Sequence, residues 1–265
     1  MITSLFALRP KLLIGVVHLK PLPGSPRWQG DLEAVIRSAV TDARAYERGG
    51  AHALFIENFG DVPFTKGSVA HETVTAMAAA GRAVRQAVKL PIGFNVLRND
   101  ARAALALCAA CRGAFIRVNV HTGAMLTDQG LIEGNAYDTL RYRRRLCPGV
   151  QIFADVHVKH AVPLGNWSIE AAARDTVQRG LADALIVSGT GTGMAAELAD
   201  VERVRRAAPG AKVLLGSGVT LANLPEFRPV ADGFIVGTSL KAGAKVSSPV
   251  DSKRVSALAR ALAGR

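Results

Sequence analysis

Eight short apolar runs, each closing on glycine or polar residues, punctuate the chain from one end to the other. They are LLIGVVH at 12–18, ALFIEN at 53–58, PIGFNVL at 91–97, AFIRVN at 114–119, QIFADVH at 151–157, ALIVSG at 184–189, KVLLGSG at 212–218 and GFIVG at 233–237. Most of the stretches between them are helix-length. After Asp31, apolar residues at Leu32, Val35, Ile36, Ala39, Val40, Ala43 and Tyr46 recur at the three- and four-residue spacing of an amphipathic helix, which Gly49-Gly50 then stops. Gly180 and Gly210 are expected to play the same role before the sixth and seventh runs. Strands that alternate with such helices pair in parallel through crossovers. Eight strand–helix units in roughly 250 residues is the size of a (β/α)8 barrel, whereas an open doubly wound sheet offers about five or six strands. A single α/β barrel domain over residues 1–265 is therefore expected, with its chemistry at the C-terminal ends of the strands.

Composition excludes several other classes. With 49% hydrophobic and 20% charged residues, the chain has the balance of a globular protein and not a disordered one. No run reaches the ~18 apolar residues that a membrane helix needs. Arg9, Pro10 and Lys11 interrupt the N-terminal stretch, which lacks the layout of a signal peptide, so a cytoplasmic protein is expected. Cys108 and Cys111 form a C-x-x-C inside an apolar helical run with no second thiol pair, and with Cys147 they make no disulfide framework. They read as buried small residues.

The formal net charge of +12 attracts phosphates, nucleic acid or an anionic membrane face. Its densest cluster, Arg141 and Arg143 to Arg145, precedes Cys147-Pro148-Gly149 and reads as a solvated helix end that complements the helix dipole. Only Tyr142 interleaves with these arginines, so base stacking is poorly supported and a nucleic-acid partner is not expected. Peripheral membrane association stays open, and assembly into a homo-oligomer is expected.

Strand parity locates the candidate site. Alternate residues of a barrel strand face the interior and the rest pack on helices. In QIFADVHVKH the helix-facing set is Ile152, Ala154, Val156 and Val158, which leaves Phe153, Asp155, His157 and Lys159 for the interior and its mouth. In AFIRVNVH the inward set is Phe115, Arg117 and Asn119, with His121 next in the series. The same alternation gives His18, Glu57 and Asn95 from the first three runs. Each run begins apolar and gains its inward polar residue only near its end. A buried polar group without partners costs several kcal/mol, so matched polar residues on several strands point to a site. Arg117 lies deeper and is expected to pair with Glu57 or Asp155.

The last two strands end in GSGVT (Gly216–Thr220) and GTSLK (Gly237–Lys241). Gly216, Gly218 and Gly237 let backbone approach a ligand, Ser217, Thr238 and Ser239 add hydroxyls, and a short helix from about Thr238 would aim its N-terminus at an anion. Loops after the seventh and eighth strands hold phosphate in many barrels. The SGTGTG after the sixth run, with Ser188, Gly189 and Thr190, fits no nucleotide fingerprint and is a further candidate ligand loop.

The chain resembles the BtpA (BtpA/SgcQ) family. The resemblance is carried by GVVHLKPLPGSP (15–26), ALFIENFGDVPF (53–64), PIGFNVLRND (91–100), FIRVNVHTGAM (115–125), FADVHVKHA (153–161), SGTGTG and the GSGVT and VGTSLK pair, in order along nearly the whole chain. It implies a TIM barrel of the ribulose-phosphate-binding type. It also implies two unlike settings, photosystem I biogenesis at thylakoid membranes and sugar utilisation in organisms without photosystems. It brings no set of catalytic residues.

The reading that follows is an enzyme acting on a phosphorylated sugar or nucleoside-derived sugar by isomerisation, carbon–carbon cleavage or glycosidic cleavage. Lys159 is the candidate Schiff-base nucleophile or electrostatic stabiliser, Asp155 and Glu57 the acid and base, Asn95 and Asn119 the holders of hydroxyls or an oxyanion, and His18 and His157 the proton shuttles. Asp155 and His157 on one strand supply only two ligands, so no metal is assigned and the cofactor is left open. Two readings from other classes stand beside it: a non-enzymatic assembly factor for a membrane complex, and an RNA-associated protein using Arg141 to Arg145.

Overall fold

The structure, a computed structural model, describes residues 5–8, 11–189 and 191–264. Eight parallel strands close into a barrel: β1 (Leu12–His18), β2 (Ala53–Glu57), β3 (Ile92–Asn95), β4 (Phe115–Val118), β5 (Gln151–Val156), β6 (Ala184–Val187), β7 (Val213–Leu215) and β8 (Gly233–Val236), with β8 pairing back onto β1. Each is followed by a helix: α1 (Leu32–Gly49), α2 (His71–Ala87), α3 (Ala101–Cys111), α4 (Ala136–Leu146), α5 (Ile169–Gln178), α6 (Leu198–Ala207), α7 (Leu224–Phe227) and α8 (Ser252–Leu262). The expected barrel is the observed fold.

Local chemistry sets the helix boundaries. Carboxylate or amide oxygens of Asp31, Asp100 and Asn135 and the Ser168 hydroxyl accept from backbone amides in the first turns of α1, α3, α4 and α5. Gly50, at φ 87°, ends α1 as expected, and Gly210 has φ 86°. Gly180 does not take this role. The positive φ falls on Leu181, and Gly180 is needed because a Cβ there would lie 2.7 Å from Thr176 O.

Alternation along the strands separates two cores. Gly15 of β1 faces the helices, where a Cβ would lie 2.5 Å from the ring of Tyr46. The Tyr46 hydroxyl reaches the carbonyls of Val16 (3.1 Å) and Val236 (3.3 Å), tying α1 to the β1–β8 seam. Inside, Leu12, Ile14, Phe55, Phe115, Phe153, Ile186, Leu214 and Ile235 fill the lower barrel. Phe115 stacks on Phe153 at 5.2 Å and meets Phe55 edge-on at 4.7 Å. A short helix, Leu5–Leu8, closes the N-terminal end of the barrel: Leu5 is buried there, and the Phe6 ring lies 5.7 Å from that of Phe153. Among the described residues, no helix is long and apolar enough to cross a membrane.

The cysteines pack as expected. Cys108 and Cys111 are buried on α3, and burial pushes both thiols up, away from reactive thiolate. One feature beyond the barrel is a small antiparallel sheet of Ala124–Thr127, Gly130–Glu133 and Ala161–Pro163, built from the connections after β4 and β5. It rests on its own apolar cluster of Val120, Met125, Ile132 and Val158.

Candidate functional site

Above the aromatic layer the inward residues turn polar together. His18, Glu57 and Asn95 are register neighbours across β1, β2 and β3. Arg117 of β4 reaches Asp155 of β5 through two hydrogen bonds, Nε to Oδ2 at 2.8 Å and Nη2 to Oδ1 at 2.7 Å. Asn119 Nδ2 donates to Asp155 Oδ2 at 3.0 Å, and the Ser188 hydroxyl donates to Oδ1 at 3.0 Å. Gly216 makes room for this cluster, since a Cβ would lie 2.5 Å from the Ser188 hydroxyl and 3.2 Å from the Arg117 guanidinium. Asn95 Nδ2 donates to Arg117 O (3.3 Å) and to Asn119 Oδ1 (3.1 Å), closing the network on the β3 side.

Several expected roles need correction. Asp155 joins the cluster but as its buried anchor: its side chain has 0% exposure, and both oxygens are saturated by Arg117, Asn119 and Ser188. It has no free lone pair for acid or base work on a substrate. Ser188 is accordingly a network member and not a ligand-loop residue. His157 leaves the site altogether. β5 ends at Val156, and His157 takes φ 53°, so the alternation that placed it inward stops there. Its ring lies among Trp167, Asp200, Arg203 and Glu170 at the helix layer. His121 also turns outward, with Nε2 2.8 Å from Gly180 O.

The mouth itself has two connected lobes that share Glu57, Arg117, Lys159 and Thr192. The first, about 390 Å³, is lined by His18, Gly216, Ser217, Gly218, Gly237, Thr238 and Ser239, so it gathers both C-terminal glycine loops. The second, about 420 Å³, is lined by Asn95, Asn119 and Asp128 together with Phe59, Phe64, Leu97 and Arg98. Burial raises the Glu57 carboxyl above its ordinary value, with Lys159 and Arg117 partly opposing. Burial, reinforced by Arg117, lowers the Lys159 amine. His18, 3.9 Å from Glu57, is held well below its usual value by burial and by Lys241 and Lys159, which keeps it neutral.

Within the glycine loops the hydroxyls differ from expectation. Ser217 donates to Met194 O at 2.7 Å and accepts from the Gly189 amide at 3.0 Å, so it ties the β7 loop to the β6 loop. Ser239 donates to Val219 O at 2.6 Å. Gly189 likewise serves packing, because a Cβ there would lie 2.3 Å from Met194 O. Thr190 lies outside the described residues. The anticipated helix from Thr238 is a single 3-10 turn, Thr238–Leu240. Gly237 is required by the imidazole of His18, whose Cε1 would lie 2.6 Å from a Cβ. Among the described residues, no backbone carbonyl accepts from the amides of Val219, Thr238 or Ser239.

Sequence reasoning missed several residues of the second lobe. Arg98 is buried three residues beyond Asn95, with Nη2 donating to Lys159 O at 2.5 Å. His160 and Thr192 join the β5 and β6 loops through Nε2, 3.2 Å from the Thr192 hydroxyl. Phe59 and Phe64 lie in the loop that follows Glu57, and two aromatics just past a polar strand end were the available signal. Among the described residues, no three His, Cys, Asp or Glu side chains form a group able to hold a metal ion.

The pattern that defines the BtpA family matches residues 9–264. The chain belongs to the BtpA family. It is 50% identical over 252 residues to the photosystem I biogenesis protein BtpA of Synechocystis sp., covering 95% of this chain and 88% of that one. An uncharacterized protein of Pyrococcus furiosus is 47% identical, covering 94% of both chains, and SgcQ of Escherichia coli is 34% identical, covering 93% and 92%. Among solved structures, Mycobacterium tuberculosis tryptophan synthase aligns with a TM-score of 0.65 at 17% identity, covering 97% of this chain and 96% of that one. Orotidine 5'-phosphate decarboxylase of Pyrococcus horikoshii aligns with a TM-score of 0.60 at 12% identity, covering 96% and 100%. At these identities the likeness is one of fold, shared by BtpA-family barrels and these enzymes.

Proposed function

We propose that this BtpA-family barrel is an enzyme that acts on a phosphorylated sugar by proton transfer at its mouth. The carrying observation is that Glu57 and Lys159, a carboxyl raised and an amine lowered by burial, line one cavity whose far wall is the pair of glycine loops. Titratable groups displaced toward each other in a cleft suit acid and base work near neutral pH. Lys159 without its proton is a base, or a nucleophile toward a sugar carbonyl, and Glu57 with its proton is the acid beside it. Arg117 is a fixed positive charge for an oxyanion, and neutral His18 spans Glu57 and Gly237. The open Val219, Thr238 and Ser239 amides support a phosphate on the first lobe. The name of one structural neighbour, orotidine 5'-phosphate decarboxylase, agrees with a phosphorylated substrate.

Calorimetry with matched sugars and sugar phosphates tests this reading. Phosphorylated members should bind at least about tenfold tighter than their parents, and Gly237→Leu should abolish that preference. Equal binding of both members of each pair sinks the phosphate assignment. Borohydride reduction with a bound carbonyl ligand should add mass to the wild type and not to Lys159→Met if the amine is the nucleophile.

The name of the Synechocystis relative favours a second reading, an assembly factor for a membrane complex. It predicts that reversing the charges of Arg143 and Arg144 removes a salt-sensitive partner interaction while Lys159→Met is silent.

A further inference from the structure

The second lobe combines an apolar wall with a polar rim. Phe59, Val62, Phe64 and Leu97 form the wall, and Asn95, Arg98 and Asp128 supply the polar groups. Asn95 is 1% exposed. Its Nδ2 donates to Arg117 O and Asn119 Oδ1, which fixes the amide's orientation, because a flipped amide would set oxygen against both acceptors. The remaining atom, Asn95 Oδ1, is therefore an acceptor, and it has no hydrogen-bond partner. Buried polar atoms are nearly always paired, so an orphaned acceptor in a lobe wall calls for a donor from a ligand.

Resting on the phosphate assignment above, the geometry points to a planar nitrogen heterocycle bearing an N–H as the occupant of this lobe, joined to a sugar phosphate held on the glycine loops. The substrate class is a phosphorylated N-glycoside, of which ribonucleoside 5'-monophosphates are the simplest. An alkyl group would cover Phe59 and Phe64 but leave the buried Asn95 Oδ1 without a donor. A second sugar would meet the rim but press hydroxyls against the apolar wall. A heterocycle satisfies both, since its faces are apolar and its edge carries donors and acceptors. The lobes share Glu57, Arg117, Lys159 and Thr192, so one molecule spans them with its glycosidic junction beside Glu57 and Lys159.

Calorimetry on the intact protein with ribose 5-phosphate, the four common ribonucleoside 5'-monophosphates and the matching nucleosides tests the assignment. At least one nucleotide should bind about tenfold or more tighter than ribose 5-phosphate. Phe64→Ala should remove that advantage and leave ribose 5-phosphate affinity unchanged. Methylating the donor nitrogen of the best nucleotide should cost about tenfold on the unaltered protein, independently of how Phe64→Ala folds. Ribose 5-phosphate binding as tightly as every nucleotide overturns the heterocycle lobe and leaves the phosphate site standing. Nucleosides that bind in a Phe64-dependent way with no gain from phosphate support the lobe and overturn the phosphate site. Binding by none of these probes overturns both.

Discussion

Arg117 and Asp155 are buried together beneath the mouth, joined by two hydrogen bonds in a place where a lone charge is costly. Asp155→Asn removes the countercharge of the buried guanidinium and turns one of its two acceptor oxygens into a donor, so it should destabilise the fold by about 3 kcal/mol or more. Lys159→Ala removes a half-buried amine at the cavity wall and should leave urea unfolding within about 1 kcal/mol of wild type. Denaturation curves of the two variants therefore separate the anchor from the working groups. A second residue-scale expectation concerns His18. Its folded-state affinity for a proton lies below the unfolded value of 6.5, so the unfolded chain takes up the proton first as pH falls. The contribution is fully present above about pH 6.5 and is lost at up to about 1.4 kcal/mol per pH unit as pH drops toward the folded pKa. His18→Gln should thus show a shallower loss of stability than wild type between pH 6.5 and 4.5. A parallel pair of curves would remove the argument.

At the scale of elements, β5 shows what was legible in the chain and what was not. Alternation correctly sent Phe153 and Asp155 inward, because a strand has a fixed period of two. It failed at His157, one residue past the strand, where a left-handed backbone resets the direction and only then brings Lys159 to the mouth. The polar ends of β1 to β4 were readable for the same reason. Ser217 and Ser239 were not, because their partners Met194 O and Val219 O belong to loop contacts that no local pattern encodes. The close approach of the β6 and β7 loops makes its own prediction. Gly218 has φ 66°, and a Cβ there would lie 2.1 Å from the Ala195 amide. Gly218→Ala should lower the melting temperature and loosen the loops, seen as faster amide exchange across 189–195 and 216–220. Arg143, by contrast, bridges to half-exposed Asp183 at 2.7 Å from the end of α4. Arg144, the next residue, is exposed, and Arg144→Glu should move stability by only about 1 kcal/mol or less.

For the whole molecule, the barrel and its two cores follow from the eight apolar runs, while the shape of the mouth depends on connections whose paths the runs do not dictate. The small sheet after β4 and β5, which carries Asp128 to the rim, is the plainest case. The Leu5–Leu8 helix under the barrel is another. Phe6→Ala should cost about 1–2 kcal/mol, since the ring is only partly buried, and leave ligand affinity unaltered. Among the described residues, that cap and the apolar layer above it fill the N-terminal end of the barrel and leave the polar mouth at the other end. On the proposed reading both lobes are reached through that mouth, so a compound that fills the first lobe alone should compete with one that spans the two.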